Sequence, residues 1–395
     1  MATVCDPLPS GVVDELGGAI VAVPKDAVWE RDPHTAAKHD LLKRYLEAWA
    51  PILLSRNDVI TYAEGFSGAG VYKHGEPGSP VVAYEVFAGA LHRFPKRMRL
   101  ILMEEDPRRV EELQRQMALA RSRHADHVTA RLSVNIGQGD FHPLLLRKLQ
   151  STSALGKPLF VLLDSFGGPD IPYSLLRELG RYRSTEVMVT FEPSFLTRFA
   201  GNHDGNRQLG DAAFGSQDWQ SVFQQPSSAK FAFLREQYRE TLRRAGFSHT
   251  LYFEMVDEGG RMLYLIFGTQ HERGLEKMKD AMWKVDRAYG VRYRDPKDTQ
   301  QQMLDLELEP DTAPLRRILR DHISSSPTGR TVQELQRFTL LETVYRPTQV
   351  IRVVRQMRDA GTVTAEPRSI SAKTRVSVAT NPPKASKAAE QGALW

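Results

Sequence analysis

The chain has almost no cysteine. Cys5 is the single cysteine among 395 residues, which excludes a disulfide within the chain and any zinc or iron–sulfur site built on its own cysteines. No apolar run approaches the roughly 20 residues that span a bilayer. The first residues, MATVCDPLPSG, lack the basic and apolar regions of a secretory signal. We therefore expect a cytoplasmic protein that makes no use of a membrane.

Several catalytic motifs are also missing. The sequence has no Walker A motif, no G-x-S-x-G elbow and no H-E-x-x-H zinc pair. His34 and His39 are five residues apart, so they do not share a helical face, and we assign the histidines no catalytic role and predict no metal site. The formal net charge of +5 permits nucleic-acid binding without requiring it.

Strand-like and helix-like segments alternate over most of the chain. Residues 1–30 form an irregular leader, after which Asp32 and Pro33 start an amphipathic helix that Pro51 interrupts or ends. Five apolar strands with intervening helices follow, and then a hairpin around a Glu-Gly-Gly turn. This order predicts an α/β fold for residues 31–300, a Rossmann-like, methyltransferase-type sheet that is mostly parallel with a terminal antiparallel hairpin.

Two later segments differ from this alternation. Residues 193–228 are polar and contain glycine, which predicts a long functional or disordered loop. Residues 310–367 predict three short helices and a small strand, the layout of a winged helix-turn-helix, with Thr331 capping the second helix. Residues 368–395 are rich in Ser, Ala, Lys and Pro and predict a disordered basic tail.

The third helix of the C-terminal module carries a basic stripe. Arg352, Arg355 and Arg358 are spaced three apart, so they share one side of the helix and could reach phosphates or base edges of DNA or RNA. The alternatives are a solvated stripe and a module that docks or dimerises with protein.

Four segments occur in order along the chain: HTAAKHDLLKRYLEAWAPIL, YAEGFSGAGVYKHGEPGSPVVA, LLDSFGGPDIP and KMKDAMWKVD. Together they resemble the three-Cys-motif partner protein family, TcmP. The resemblance implies a Rossmann-type methyltransferase relative, S-adenosylmethionine (SAM) as cofactor, and a second protein that carries a three-cysteine cluster. The chain departs from the family at Ser165, where the resemblance leads us to expect proline.

The glycine-rich turn EGFSGAG follows the first strand of the sheet. Such a turn lets backbone approach a ligand closely. In SAM enzymes it wraps the methionine part, and an acid at the strand end contacts the amino group, which suits Glu64, Phe66, Gly68 and Gly70. The alternative is that the glycines serve only a tight bend.

The next two strands also end in acids. Glu104 ends the second strand and could accept both ribose hydroxyls, whereas Asp106 is the better cap for the next helix. Asp140 follows the third strand and could accept the adenine amine, with Phe141 packing near the ring. Alternatively, Glu104 only helps to start the next helix, and Asp140 is an ordinary residue of a polar loop.

The fourth strand ends at LLDSFGG, where amino-methyltransferases hold the reacting amine. Asp164 could accept from that amine and Phe166 could stack on a base, although a structural turn is the alternative. The leading hypothesis is a SAM-dependent methyltransferase-like enzyme acting on nucleic acid with its cysteine-cluster partner. The other is a non-catalytic subunit that docks the three-cysteine partner and binds nucleic acid or serves as a scaffold. Ser165 in place of the expected proline slightly favours this second hypothesis.

Overall fold

The computed structural model describes residues 26–165, 169–200, 204–256, 262–287, 290, 292–294 and 311–379. These residues fall in two compact units. The first unit reaches Val285 and includes the strand at 292–294, and the second holds residues 311–379.

The first unit is built on one sheet. Its strands are β1 (Val59–Glu64), β2 (Arg97–Glu104), β3 (Leu132–Gln138), β4 (Leu159–Leu163), β5 (Thr185–Phe191), β6 (His249–Val256), β7 (Met262–Thr269) and β8 (Arg292–Arg294). They lie in the order β3-β2-β1-β4-β5-β7-β6-β8. Strands β1 to β5 are parallel, and β7 runs antiparallel to both β5 and β6. This confirms the mostly parallel sheet with an antiparallel hairpin; β8, parallel to β6, was not predicted.

Helices connect these strands. They are α1 (Pro33–Leu54), α2 (Ser79–Leu91), α3 (Pro107–Ser122), α4 (Asp126–Thr129), α5 (Phe141–Ser151), α6 (Tyr173–Gly180), α7 (Pro193–Phe199), α8 (Asp204–Phe214), α9 (Lys230–Arg244) and α10 (Glu272–Val285). The strands β1, β4 and β5 are buried almost throughout, as expected when helices cover both faces of a parallel sheet.

Helix α1 begins at Pro33, as predicted, and Asp32 occupies the N-cap position, but its side chain accepts no capping hydrogen bond from the described residues. The prediction that Pro51 interrupts or ends it is wrong, because α1 continues to Leu54. Pro51 removes one helical N–H, but the helix continues past it, and the carbonyl of Pro51 accepts the N–H of Ser55 at 3.2 Å. The helix buries one apolar stripe: Leu41, Leu42, Tyr45, Leu46 and Trp49.

The predicted long loop at 193–228 is instead largely helical. It contains α7, α8 and two 3-10 turns at Asp218–Gln224 and Ser227–Ala229. Trp219 is fully buried here, and its indole Nε1 donates to Asp211 Oδ1 at 2.7 Å. The polar composition hid short helices that bury a few large rings and leave their other faces in solvent.

The second unit contains α11 (Ala313–Ser324), β9 (Arg330–Thr331), α12 (Val332–Glu342), α13 (Pro347–Asp359), β10 (Val363–Glu366) and β11 (Arg375–Val378). The strands pair antiparallel in the order β10-β11-β9. Thr331 caps α12 in a reciprocal capping box with Glu334, which confirms the predicted cap. The winged-helix assignment itself stays a prediction.

The predicted tail at 368–395 needs correction. Residues 375–378 form β11, which pairs with β10 and β9 and buries Val376. The short alternation in RVSV is a strand signal that the surrounding Ser and Lys residues obscured. The remainder of the predicted tail, from residue 380, lies outside the described residues.

We expect Tyr45→Phe to lower the free energy of unfolding by about 1–3 kcal/mol. Tyr45 Oη donates to Glu186 Oε2 at 2.7 Å, and Thr269 Oγ1 donates to Glu186 Oε1 at 2.7 Å, so the change removes a donor to a buried carboxyl. Urea unfolding measures the effect. Thr269→Val and the double variant Tyr45→Phe with Thr269→Val complete a double-mutant cycle. If the losses in unfolding free energy of the two single variants simply add up in the double variant, the two hydroxyls do not share a network.

Candidate functional site

The strand order fixes where a ligand site belongs. β1 lies between β2 and β4, so the chain reverses its direction of travel across the sheet at β1. Open α/β sheets bind ligands in the crevice outside the carboxyl ends of the strands at this point. Glu64 ends β1, Glu104 ends β2 and Asp164 directly follows β4. The structure therefore brings three of the predicted acids to one edge of the sheet.

The glycine-rich turn after β1 is bonded to both neighbouring strands. The N–H of Gly65 donates to Leu162 O at 3.0 Å, and the N–H of Ser67 donates to Met103 O at 2.8 Å. The N–H of Gly68 donates to the Glu104 carboxylate at 2.8 Å. Three amides of the turn thus hold it across the ends of β4 and β2.

Two glycines of the turn are needed for its shape. Gly68 and Gly70 have φ angles of +61° and +73°, in the left-handed region that glycine adopts without strain. A Cβ on Gly70 would also lie 2.9 Å from Leu113 Cδ1. The tight bend that the sequence left open as an alternative therefore exists, whether or not the turn also holds a ligand.

Glu104 is the most connected acid at the edge. It is 6% exposed, and besides Gly68 it accepts the N–H of Asp106 at 3.0 Å. Nη1 of the buried Arg109 lies 3.9 Å from its Oε1. Asp106 caps α3 by accepting the N–H of Arg108, as predicted. Each carboxylate oxygen keeps acceptor capacity for a further donor.

Asp140 lies at the end of β3, and it is exposed. Its Oδ1 accepts the N–H of His142 at 3.1 Å, so it caps α5. The next residue, Phe141, packs against Phe66 of the glycine-rich turn with ring centroids 4.4 Å apart. The loops after β1 and β3 therefore meet through two aromatic rings.

Glu64 lies beneath the turn rather than in the crevice. Its carboxyl is fully buried and accepts from the hydroxyls of Tyr62 and Ser79, the latter at 3.1 Å. Burial raises the pKa of Glu64 to about 8, so it is protonated at neutral pH. Its predicted contact with a cofactor amine would require this enclosure to open.

Asp164 is held in a largely buried ion pair, with its side chain 17% exposed. Lys38 Nζ of α1 contacts one carboxylate oxygen, and Thr190 Oγ1 of β5 donates to the other. Burial alone would raise the pKa of Asp164, but Lys38 and the hydrogen bonds outweigh it and hold the pKa below its ordinary value. The carboxylate is therefore ionised at neutral pH. Phe166, its predicted neighbour in the site, lies outside the described residues.

Lys38 and His39 were missed as members of this cluster. His39 is 6% exposed, its Nδ1 has no hydrogen-bond partner among the described residues, and its ring lies 5.7 Å from that of Tyr72. Burial, and then Lys38, lower the pKa of His39 to about 3, so the imidazole is neutral at pH 7. The sequence offered one indication of Lys38: it lies three residues before Leu41, in line with the apolar stripe of α1, where a lysine needs a partner.

The three arginines of α13 are not equivalent. Arg352 and Arg355 are exposed. Arg358 is half-buried, donates to Asp359 Oδ1 at 2.8 Å from Nη2, and donates to the carbonyl of Arg368 at 2.8 Å from Nη1. Arg358 would have to give up these contacts to reach a ligand.

The described residues contain neither a metal-binding cluster nor a membrane-spanning helix. No group of three or more His, Cys, Asp or Glu side chains in that part of the chain could hold a metal ion. In the same residues, no helix combines the length and the apolar character that crossing a bilayer requires.

The sequence matches no protein-family model and no curated protein. The structure is similar to a precorrin-6y C5,15-methyltransferase from Geobacter metallireducens, at 12% identity and a TM-score of 0.29, covering 64% of this chain and 94% of that one. It is similar to a putative O-methyltransferase from Klebsiella pneumoniae at 14% identity and a TM-score of 0.29, covering 61% and 91%. It is also similar to human methyltransferase 10 domain containing protein, at 10% identity and a TM-score of 0.30, covering 65% of this chain and 91% of that one.

These scores are low, and the fold assignment rests on the strand order. Parallel strands in the order 3-2-1-4-5, extended by an antiparallel β7 inserted between β5 and β6, define the Rossmann-like fold of methyltransferases. The first unit has this fold.

We expect Glu64→Gln to change how stability depends on pH. Native Glu64 keeps its proton up to a pKa of about 8, whereas unfolded Glu64 loses it near 4.5, so the wild type loses stability as pH rises through this window. The glutamine variant lacks this titration. Its free energy of unfolding relative to wild type should rise by up to about 1.4 kcal/mol per pH unit between pH 5 and pH 8.

Urea unfolding of both proteins at pH 5, 6.5 and 8 makes the comparison. Groups other than Glu64 titrate equally in the two chains and cancel in the difference. Parallel stability curves would show that Glu64 is ionised in the folded protein.

Proposed function

We propose that the chain is a TcmP-type, SAM-dependent methyltransferase-like enzyme that acts on nucleic acid together with a partner carrying a three-cysteine cluster. The observation that carries the proposal is the convergence of Glu104 and Asp164 on the crevice of a methyltransferase-type sheet. The family, the partner and the substrate come from the resemblance of the four sequence segments.

The residues at the turn suit an adenosyl cofactor. Glu104 is a fixed acceptor for ribose hydroxyls, because Gly68 and Asp106 orient its carboxylate. Ser67 Oγ is buried with no hydrogen-bond partner among the described residues, which leaves an unused polar group at the turn. Phe66, Gly68, Gly70, Asp140 and Glu64 complete the proposed set. When bound, SAM supplies a methyl group activated by its sulfonium.

Asp164 is suited to receive an acceptor amine. Lys38 and Thr190 fix its orientation and keep it ionised, so it can accept an N–H without reorganising. Such a carboxylate fits the exocyclic amine of a base, which Phe166 would stack. Catalysis would rest on aligning this amine, with the hydrogen bond to Asp164 assisting.

Nucleic acid is proposed to bind through the second unit. The exposed Arg352 and Arg355, with Arg358 beside them, form a stripe for the phosphates of DNA or RNA. The cysteine-cluster protein is proposed from the TcmP resemblance alone.

One observation favours a second function, a non-catalytic subunit that docks the partner and binds nucleic acid. Lys38 extends from α1 to Asp164, so side chains of the chain itself fill part of the crevice in which a ligand would lie. A relic sheet that has lost its cofactor would tolerate such filling.

SAM binding separates the two functions. We expect titration calorimetry to show saturable SAM binding to the wild type. Glu104→Gln should weaken it about tenfold, or 1.4 kcal/mol, because the ribose loses a bidentate acceptor. Glu105→Gln is the matched control, since this exposed neighbour should leave the affinity unchanged. Thermal melts check that each variant is folded. Absence of SAM binding to the folded wild type would favour the non-catalytic subunit.

We expect Arg352→Ala combined with Arg355→Ala to weaken nucleic-acid binding and to lower its salt dependence. Two lost phosphate contacts should reduce the slope of log K against log salt by about 1.8 on duplex DNA. Arg316→Ala with Arg317→Ala removes the same charge from exposed positions on α11. Equal slopes for the two double variants, measured by fluorescence anisotropy, would mean that net charge rather than α13 drives binding.

A further inference from the structure

Residues 26–30, here called the N-terminal strap, lie against the glycine-rich turn and the start of α3. The carbonyl of Trp29 accepts the N–H of Lys73 at 2.9 Å, and Lys73 Nζ donates to Glu30 at 3.2 Å. Arg109 Nη2 donates to the carbonyl of Asp26 at 3.5 Å. Backbone contacts at both ends therefore hold the strap in position.

The strap places Trp29 beside the proposed ribose acceptor. Arg109 lies with its guanidinium carbon 4.9 Å from the centre of the indole, and Tyr72 meets the ring edge-on with centroids 6.0 Å apart. A Cβ built on Gly68 would lie 3.8 Å from Cη2 of Trp29. Gly68 and Arg109 are the same groups that flank the Glu104 carboxylate, at 2.8 and 3.9 Å. The indole thus covers both neighbours of that carboxylate.

We propose that Trp29 is a binding residue that stacks on the base of an adenine nucleoside cofactor. The proposal rests on the proposed function, because it takes Glu104 as the ribose acceptor. A base is joined directly to its ribose, so a nucleoside held by Glu104 has its base within reach of an indole that contacts both flanking groups. The ring is half-buried, and Arg109 and Tyr72 already orient it, so little freedom is lost when it stacks.

A stacking role has a measurable size. Aromatic side chains contribute about 1–3 kcal/mol per stacked base, which corresponds to roughly five- to 150-fold in affinity. We expect Trp29→Ala to weaken the binding of SAM, and of adenosine used as a fragment, by at least fivefold. Trp29→Phe keeps a flat ring and should stay within about threefold of wild type.

The test combines calorimetry with tryptophan fluorescence. SAM should change the emission of the wild type, and Trp29→Phe should still bind SAM but lose most of that change, a result that a purely structural role would not give. Glu30→Ala is the matched control, because it removes the exposed pair with Lys73 from the same strap and should change affinity less than twofold.

The outcomes separate this proposal from the proposed function. If wild type and Trp29→Ala bind SAM equally, the stacking role is wrong and the cofactor site stands. If Trp29→Ala binds SAM more tightly, Trp29 blocks the site rather than building it. If the folded wild type binds neither SAM nor adenosine, both proposals fail.

Discussion

The buried ion pair between Lys38 and Asp164 is the interaction on which the sheet edge depends. It joins the first turns of α1 to the end of β4, and Thr190 ties the same carboxylate to β5. A buried pair gains little net stability, yet losing one partner leaves an uncompensated charge that costs about 3–5 kcal/mol. The pair therefore fixes where α1 lies over the crevice more than it adds to the total stability.

Burial beside this pair sets the protonation of its neighbours. Burial disfavours every further charge, so Glu64 keeps its proton and His39 stays neutral around pH 7. The ionised Lys38–Asp164 pair thus lies next to two neutral groups, Glu64 and His39. Such a pattern occurs at catalytic centres, where ionised and neutral groups lie side by side, and in structural networks as well.

The fold was largely predictable from the sequence, because the strands of a parallel sheet are continuous apolar runs and their order follows from right-handed connections. The acids at the ends of β1, β2 and β4 were found in the same way. Lys38 and Thr190 were not found, because their contacts with Asp164 depend on how α1 packs on the sheet. The fourth and fifth strands of that sheet lie more than 100 residues after α1 in the sequence. The hydroxyls that enclose Glu64 give no sequence signal either.

The glycine-rich turn now has two roles that do not compete. Its left-handed glycines and strand-bound amides are required by the bend itself, while its outer side contacts the strap that begins before α1. Trp29 at the turn and Lys38 at Asp164 lie nine residues apart on one continuous segment, which runs from the strap into the helix that starts at Pro33. The proposed cofactor side and the proposed acceptor side are consequently built from the same short stretch of chain. In the proposed site, a ligand that moved the strap would therefore also act on the segment that carries Lys38.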